Sequence, residues 1–214
     1  GTLQVDAFAG FDRLAAERPD GDVVLAHCWA HTRRKFYDVH QATASPIAAE
    51  ALRRINELYG IEDEIRGSTA EQRRQLRAES SRAVLEEFKP WLEAQLARLS
   101  RKSALAGAMR YTLVRWDSLS RFVEDGRIEI DTNTVERTMR PIALGRKNHL
   151  FAGSDSGAET WAIVASLIQS AKLNDLEPFA YLRDTLQAMV QGHTINRLDE
   201  LLPWNYADAP AKAA

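Results

Sequence analysis

The stretch TLQVDAFAGFDRLAAERPDGDVVLAHCW, residues 2–29, decides the fold. Its first residues alternate: Leu3 and Val5 face one way, Thr2, Gln4 and Asp6 the other. That period of two predicts a short strand ending near Asp6. Ala9-Gly10 turns the chain into a short helix, FDRLAAER, which Pro19 and Asp20-Gly21 stop. The run DVVLAHCW is continuously apolar from Val23 and predicts a buried strand over 22–28. Strand, helix and strand at this spacing form a βαβ unit, which favours parallel pairing. Asp6 then sits where a strand leaves the sheet, the edge at which open α/β sheets gather their ligands. A carboxylate there either holds a hard cation through oxygen or caps the turn that follows.

Beyond Trp29 the period changes. AHTRRKFYDVHQAT reads as a helix with Arg33, Arg34 and Lys35 in one turn. Ser45-Pro46 is an N-cap followed by proline at the first helical position, and the helix it opens closes near Gly67. Ser68-x-x-Glu71 reads as a capping box opening a helix that runs to about Phe88, with a break before the segment that Pro90 starts. Residues 103–124 are helical again, with Gly126 as the expected C′ residue. Residues 46–126 are therefore expected to be an all-helical insertion, between a first segment 1–45 and a last segment 127–205, with a frayed tail at 206–214.

The composition, 45% hydrophobic and 27% charged with a net charge of −2, is that of an ordinary globular chain and argues against a strongly cationic nucleic-acid coat. Any DNA contact must come from local patches. A single cysteine, Cys28, excludes an internal disulfide framework. No apolar run approaches the ~18 residues of a membrane span, and no signal-peptide pattern is present. The chain opens Gly-Thr-Leu directly in a strand-like run, and is expected to be a piece of something longer.

The second informative stretch is RIEIDTNTVERTMRPIALGRKNHLFAGS, residues 127–154. RIEID reads as extended, followed by a helix around 133–140 that Pro141 ends. Glu136 lies among Arg137, Arg140, Arg146 and Lys147. It can close a capping box with Asn133 or pair with Arg140 at i,i+4, and the local pattern does not separate the two. In Gly145-Arg146-Lys147-Asn148 the glycine permits close backbone approach to a phosphate and the cations supply charge; a solvated basic loop is the plain alternative. Ser156-x-x-Glu159 reads as a capping box for a helix stopping near Asn174, and Pro178 opens another that Gly192 stops. His27, Cys28 and His31 do not match zinc-ligand spacing, so Cys28 reads as a buried strand-end residue with a helical histidine nearby. Trp29, Trp91, Trp116, Trp161 and Trp204 read as packing residues.

Five ordered segments together resemble the insertion-sequence 66 family of DDE transposases, in the C-terminal half of their catalytic domain: LQVDAFAGFD (3–12), HCWAHTRRKF (27–36), IDTNTVERTMRPIALGRKNHLFAGSDSGAE (130–159), SLIQSAKLNDLEPFAYL (166–182) and LDELLPWN (198–205). The resemblance implies a helix-rich α/β fold: a partial RNase H-like core, a mixed sheet with flanking helices, interrupted by the all-helical insertion. It places Asp6 on the second acid of the metal-binding triad and Glu136 on the third, with the first on a strand upstream of Gly1. It implies two Mg2+ ions, phosphoryl transfer on DNA, a homo-oligomeric working complex, and a cytoplasmic, nucleoid-associated location without membrane contact. Arg137, Arg140, Arg146, Lys147 and Asn148 become the candidates for DNA-backbone contacts, with His31, Arg33, Arg34 and Lys35 behind them. Two departures stand out. Thr132-Asn133 replaces the family's usual pair of asparagines, and Val135 replaces alanine before the acid. With one ligand missing, this stretch alone is expected to be inactive. A different class of reading is a non-catalytic helical interaction or DNA-binding module left from a decayed element.

Overall fold

The computed structural model describes residues 1–18, 23–145 and 151–206. These fall into two compact units, residues 1–136 and residues 137–214, each taken by itself below.

The first unit begins with the expected βαβ turn. Strand β1 (Thr2–Val5) and strand β2 (Val24–His27) pair in parallel, Thr2 opposite Val24 and Val5 opposite His27. Helix α1 (Ala9–Ala16) lies between them in sequence. Among the described residues these two strands are the whole sheet, so the helix-rich α/β expectation holds at that level. RIEID does not join as a third strand. It runs beside the pair through isolated bonds: the Gln4 side-chain amide donates to Glu129 O (2.7 Å) and accepts from Glu129 N–H (3.1 Å), and Trp29 N–H donates to Ile130 O (3.1 Å). A side chain here satisfies backbone groups that a ladder would otherwise pair.

Helices α2 (Trp29–Thr43) and α3 (Pro46–Glu64) pack on each other. Ser45 caps α3 as expected, its hydroxyl accepting from Ala48 N–H (3.3 Å). The next cap differs from the sequence reading. Thr69 and Gln72, not Ser68 and Glu71, form the reciprocal box that opens α4 (Ala70–Leu76). The chain continues through a π-helical turn, Arg77–Ser81, into α5 (Arg82–Leu96). Pro90 lies inside α5 rather than breaking it. An interior proline costs about 3 kcal/mol. Phe88 and Leu92 on either side are fully buried, and at about 1.5–3 kcal/mol each their burial offsets that cost. Helix α6 (Ala104–Val114) is capped by Ser103 and leads into α7 (Trp116–Ser120) and a 3-10 turn, Arg121–Val123.

One core joins the strands to the helices. Trp29, Phe88 and Trp116 meet ring to ring at 6.0–6.3 Å, and Trp29 Nε1–H donates to Leu119 O (2.8 Å). Trp91 packs against their edge. Gly126 is not a left-handed helix stop. A Cβ on it would lie 1.7 Å from Ala70 O, so its backbone presses directly on the start of α4.

Helix α8 (Asn133–Gly145) runs through Pro141, where the sequence pattern placed its end. In the second unit, α9 (Asp155–Leu173) is capped by Ser154, whose hydroxyl accepts from Gly157 N–H (3.1 Å), not by Ser156 with Glu159. Helix α10 (Pro178–Val190) opens on Pro178 with Glu177 as its cap and stops at Gly192 in the left-handed region (φ 87°). A 3-10 segment, Ile195–Leu201, and α11 (Pro203–Tyr206) close on it: Tyr181 Oη–H donates to Leu201 O (2.8 Å), and the Tyr181 and Tyr206 rings meet edge to face. Contrary to the packing expectation, Trp161 and Trp204 are both exposed.

Candidate functional site

The site is built at the carboxyl ends of β1 and β2. Val5 opposes His27, so Asp6 and Cys28 are the next residues out on neighbouring parallel strands. Asp6 Oδ1 accepts from Phe8 N–H (3.0 Å), the turn-capping contact its position allows. Cys28 is buried and is the N-cap of α2. His31, one turn into α2, therefore projects near the same edge. Beside them, His27 Nδ1 and the Ser118 hydroxyl lie 2.8 Å apart, and burial, aided by Arg115, pushes the His27 imidazole below its ordinary 6.5.

Glu136 reaches this edge from the first turn of α8. Its helix entry is fixed by Asp131, Thr132 and Asn133. Asp131 accepts from Asn133 N–H (3.0 Å) and Nδ2 (2.7 Å), and from Tyr59 Oη–H (3.0 Å). Burial first, then the Asp131 carboxylate, push the Tyr59 phenol well above its usual range, so it stays a donor. Thr132 N–H donates to Cys28 Sγ (3.3 Å), and Thr132 Oγ1–H donates to Glu136 Oε1 (2.7 Å). The side-chain partner of Glu136 is thus Thr132, not Asn133. Its ion-pair neighbour among the described residues is His31, with Nδ1 at 3.7 Å, rather than Arg140. Ligand atoms of Cys28, His31 and Glu136 all lie within 4.8 Å of one another.

The loop that delivers Asp131 and Glu136 is held from below by a buried arginine. Arg77 is fully buried in the π-helical turn. Its Nε and Nη2 each donate to Glu62 at 2.7 Å; its Nη1 donates to Phe122 O (2.9 Å), Asp125 O (3.3 Å) and Ile128 O (2.9 Å). Arg73 links the same Glu62 (3.4 Å) to Glu129 (2.7 Å), holding the Glu129 carboxyl below its usual range. Sequence reading missed Arg77 because it follows Arg73 and Arg74 in a charged helix that looks solvated. A π-helical turn is the kind of irregularity that often marks a functional region.

The candidate DNA-contact residues fall into three groups. Arg137 and Arg140 are exposed on α8, next to Glu136 in sequence and one turn on. Arg33 donates to Asn56 (3.1 Å), Lys35 sits over the Tyr111 ring (5.5 Å to the centroid), and Arg34 is exposed. Arg146, Lys147 and Asn148 lie outside the described residues.

Fold and site define a class: a helix-rich α/β protein in which Glu136 meets Cys28 and His31 beside the end of a parallel strand pair. Comparison with known proteins gives the family. Residues 1–160 match the model described as Transposase IS66 family, and residues 166–204 match the IS66 C-terminal element. The chain belongs to the IS66 transposase family. It is 44% identical over 210 residues to the uncharacterized protein y4qI of Sinorhizobium fredii, covering 96% of this chain and 39% of that protein. It is 47% identical over 219 residues to the uncharacterized protein y4jD of the same organism, covering all of this chain and 43% of that protein. The chain thus spans about two fifths of the length of the curated relatives it matches. No solved structure matches it. No helix among the described residues is long and apolar enough to cross a membrane.

Proposed function

We propose that this chain is the C-terminal part of the catalytic domain of a DNA transposase, and that Asp6 and Glu136 are two of the three acids of a DDE-type, Mg2+-dependent site for strand cleavage and transfer. What supports this reading is where each acid sits relative to neighbouring strand ends. Asp6 follows β1, Cys28 follows β2 in the adjacent register position, and Glu136 lies beside Cys28. In this reading β1, α1 and β2 belong to an RNase H-like core whose remaining strands lie in the longer protein, with the first acid on one of them.

Carboxylates are the hard oxygen donors that Mg2+ takes, and Glu136 is half-exposed with one oxygen oriented by Thr132, so the donor set fits the ion. A bound metal pair supplies the positive charge that activates the attacking oxygen and stabilises the leaving oxygen of an in-line displacement at phosphorus. The chain's own residues do the rest. Asp6 and Glu136 present their charges at a fixed edge, Asp131 and Thr132 set the entry of α8, and Arg77 holds the loop before it. Arg137, Arg140, Arg146, Lys147 and Asn148 contact backbone phosphates, which positions DNA without reading its sequence. Arg34 is the best placed of the α2 cations, because Arg33 and Lys35 already have partners. The working complex is a homo-oligomer on element ends and target DNA, in the cytoplasm at the nucleoid.

The test is a transposition assay with the longer protein and its own element ends. Asp6→Asn and Glu136→Gln should each abolish strand transfer while leaving DNA binding in place. Wild-type transfer by either variant overturns the assignment. The 214-residue chain alone should not cleave DNA.

A further inference from the structure

Beside the acids stands a different set of donors. We infer that Cys28, His31 and Glu136 form a site for a borderline divalent cation of the zinc class, distinct in chemistry from a site for Mg2+. One thiol, one imidazole and one carboxylate lie within 4.8 Å of one another, from two segments more than a hundred residues apart. Zinc takes S, N and O ligands together, and its bond lengths place tetrahedral ligand atoms roughly 3.3–3.7 Å apart. About 1 Å of approach closes the difference, and a small rotation of the half-exposed Glu136 side chain supplies it. Hard cations do not choose thiolate, so this donor set discriminates against Mg2+.

Two further observations point to a ligand. His31 Nδ1 is shielded from solvent and has no hydrogen-bond partner among the described residues, although it faces Glu136. In the tautomer protonated at Nε2, that unpartnered nitrogen carries the lone pair a metal would take. Thr132 supports both flanking ligands: its N–H donates to Cys28 Sγ and its hydroxyl to Glu136 Oε1. Such outer contacts are what orient metal ligands. Three protein ligands leave a fourth position for water or for an incoming oxygen. Binding replaces the Cys28 S–H bond by a sulfur–metal bond and releases that proton to solvent. A zinc-class ion in this site would compete with, or share, the Glu136 carboxylate used in the Mg2+ chemistry proposed above.

The inference does not depend on that chemistry and is tested on the 214-residue chain by titration with Co2+ and Zn2+. One equivalent of Co2+ should give tetrahedral d–d bands and a thiolate-to-cobalt charge-transfer band, with release of one proton. Zn2+ should abolish both. Cys28→Ser should remove the charge-transfer band, and Glu136→Gln and His31→Gln should each weaken Zn2+ binding by at least about tenfold. Glu136 and His31 are not buried, so those variants test the site even where Cys28→Ser perturbs folding. Absence of the band, its survival in Cys28→Ser, or unchanged affinity in either of the other variants overturns the inference. An active transposase without the cobalt spectrum would refute this site alone. The spectrum in an inactive full-length protein would refute only the transposase reading.

Discussion

Replacing Arg77 by methionine removes the guanidinium on which the site loop rests. Its five donated bonds are all buried or partly buried: two to Glu62 at 2.7 Å, and three to the carbonyls of Phe122, Asp125 and Ile128. Removing one partner of a buried ion pair costs about 3–5 kcal/mol, because the remaining charge is stranded. Arg73, 3.4 Å from Glu62, relieves part of that charge and pulls the figure toward the lower end. The stranded carbonyls pull it back up, at about 1–3 kcal/mol for each that water does not reach. The expected loss is about 4 kcal/mol, a large share of the ~5–15 kcal/mol that holds a domain together. Urea unfolding of the 214-residue chain, followed by tryptophan fluorescence, measures it through Trp29 and Trp116 in the same core. Arg77→Met/Glu62→Leu should recover part of the loss, because no charge is then stranded, but the three carbonyls keep it below wild type. A cost under about 1 kcal/mol for Arg77→Met would show that the loop is held by something else.

Gly126→Ala puts a Cβ where Ala70 O already stands, and should destabilise by about 1–3 kcal/mol, as overpacking does; chemical denaturation reads it, and a neutral result would mean the loop shifts freely. Glu129→Gln bears on acid stability. Hydrogen bonding to Arg73 depresses the Glu129 carboxyl, so its contribution is present above the ordinary 4.5 and is lost as pH falls through the folded value. The variant should be less stable at neutral pH and show a flatter acid limb in urea midpoints taken across that range. Thr132→Val removes the hydroxyl that orients Glu136 but keeps the N–H bond to Cys28; transposition by the longer protein should fall about tenfold, with a thermal midpoint close to wild type.

The βαβ start was legible because both strands carry period-two or continuous apolar runs and the connection between them is long enough, and helical enough, for a parallel crossover. Helix starts were legible where a cap and a proline coincide, as at Ser45-Pro46. They slipped where two cap-type residues adjoin: Ser68 beside Thr69, and Ser154 near Ser156. The capping pattern is satisfied at either position, and only the backbone direction chooses between them. Pro90 and Pro141 misled because local helix breaking yields to burial along the neighbouring turns at the first and to continuation of α8 at the second. Of the proposed site, Asp6 was suggested by its strand-end position and Glu136 by family likeness. The contacts among Cys28, His31, Thr132 and Glu136 were not, since they join segments more than a hundred residues apart. Nor was Arg77, whose burial depends on a π-helical turn that no residue pattern announces.

The most direct measurement is a crystal structure of the longer protein with Mn2+ in place of Mg2+, the metal located by anomalous scattering. A manganese peak ligated by carboxylate oxygens of Asp6 and Glu136 is the result expected of a two-metal phosphoryl-transfer site. Carboxylates pointing to opposite sides of the sheet, with the metal held by other residues, would contradict it.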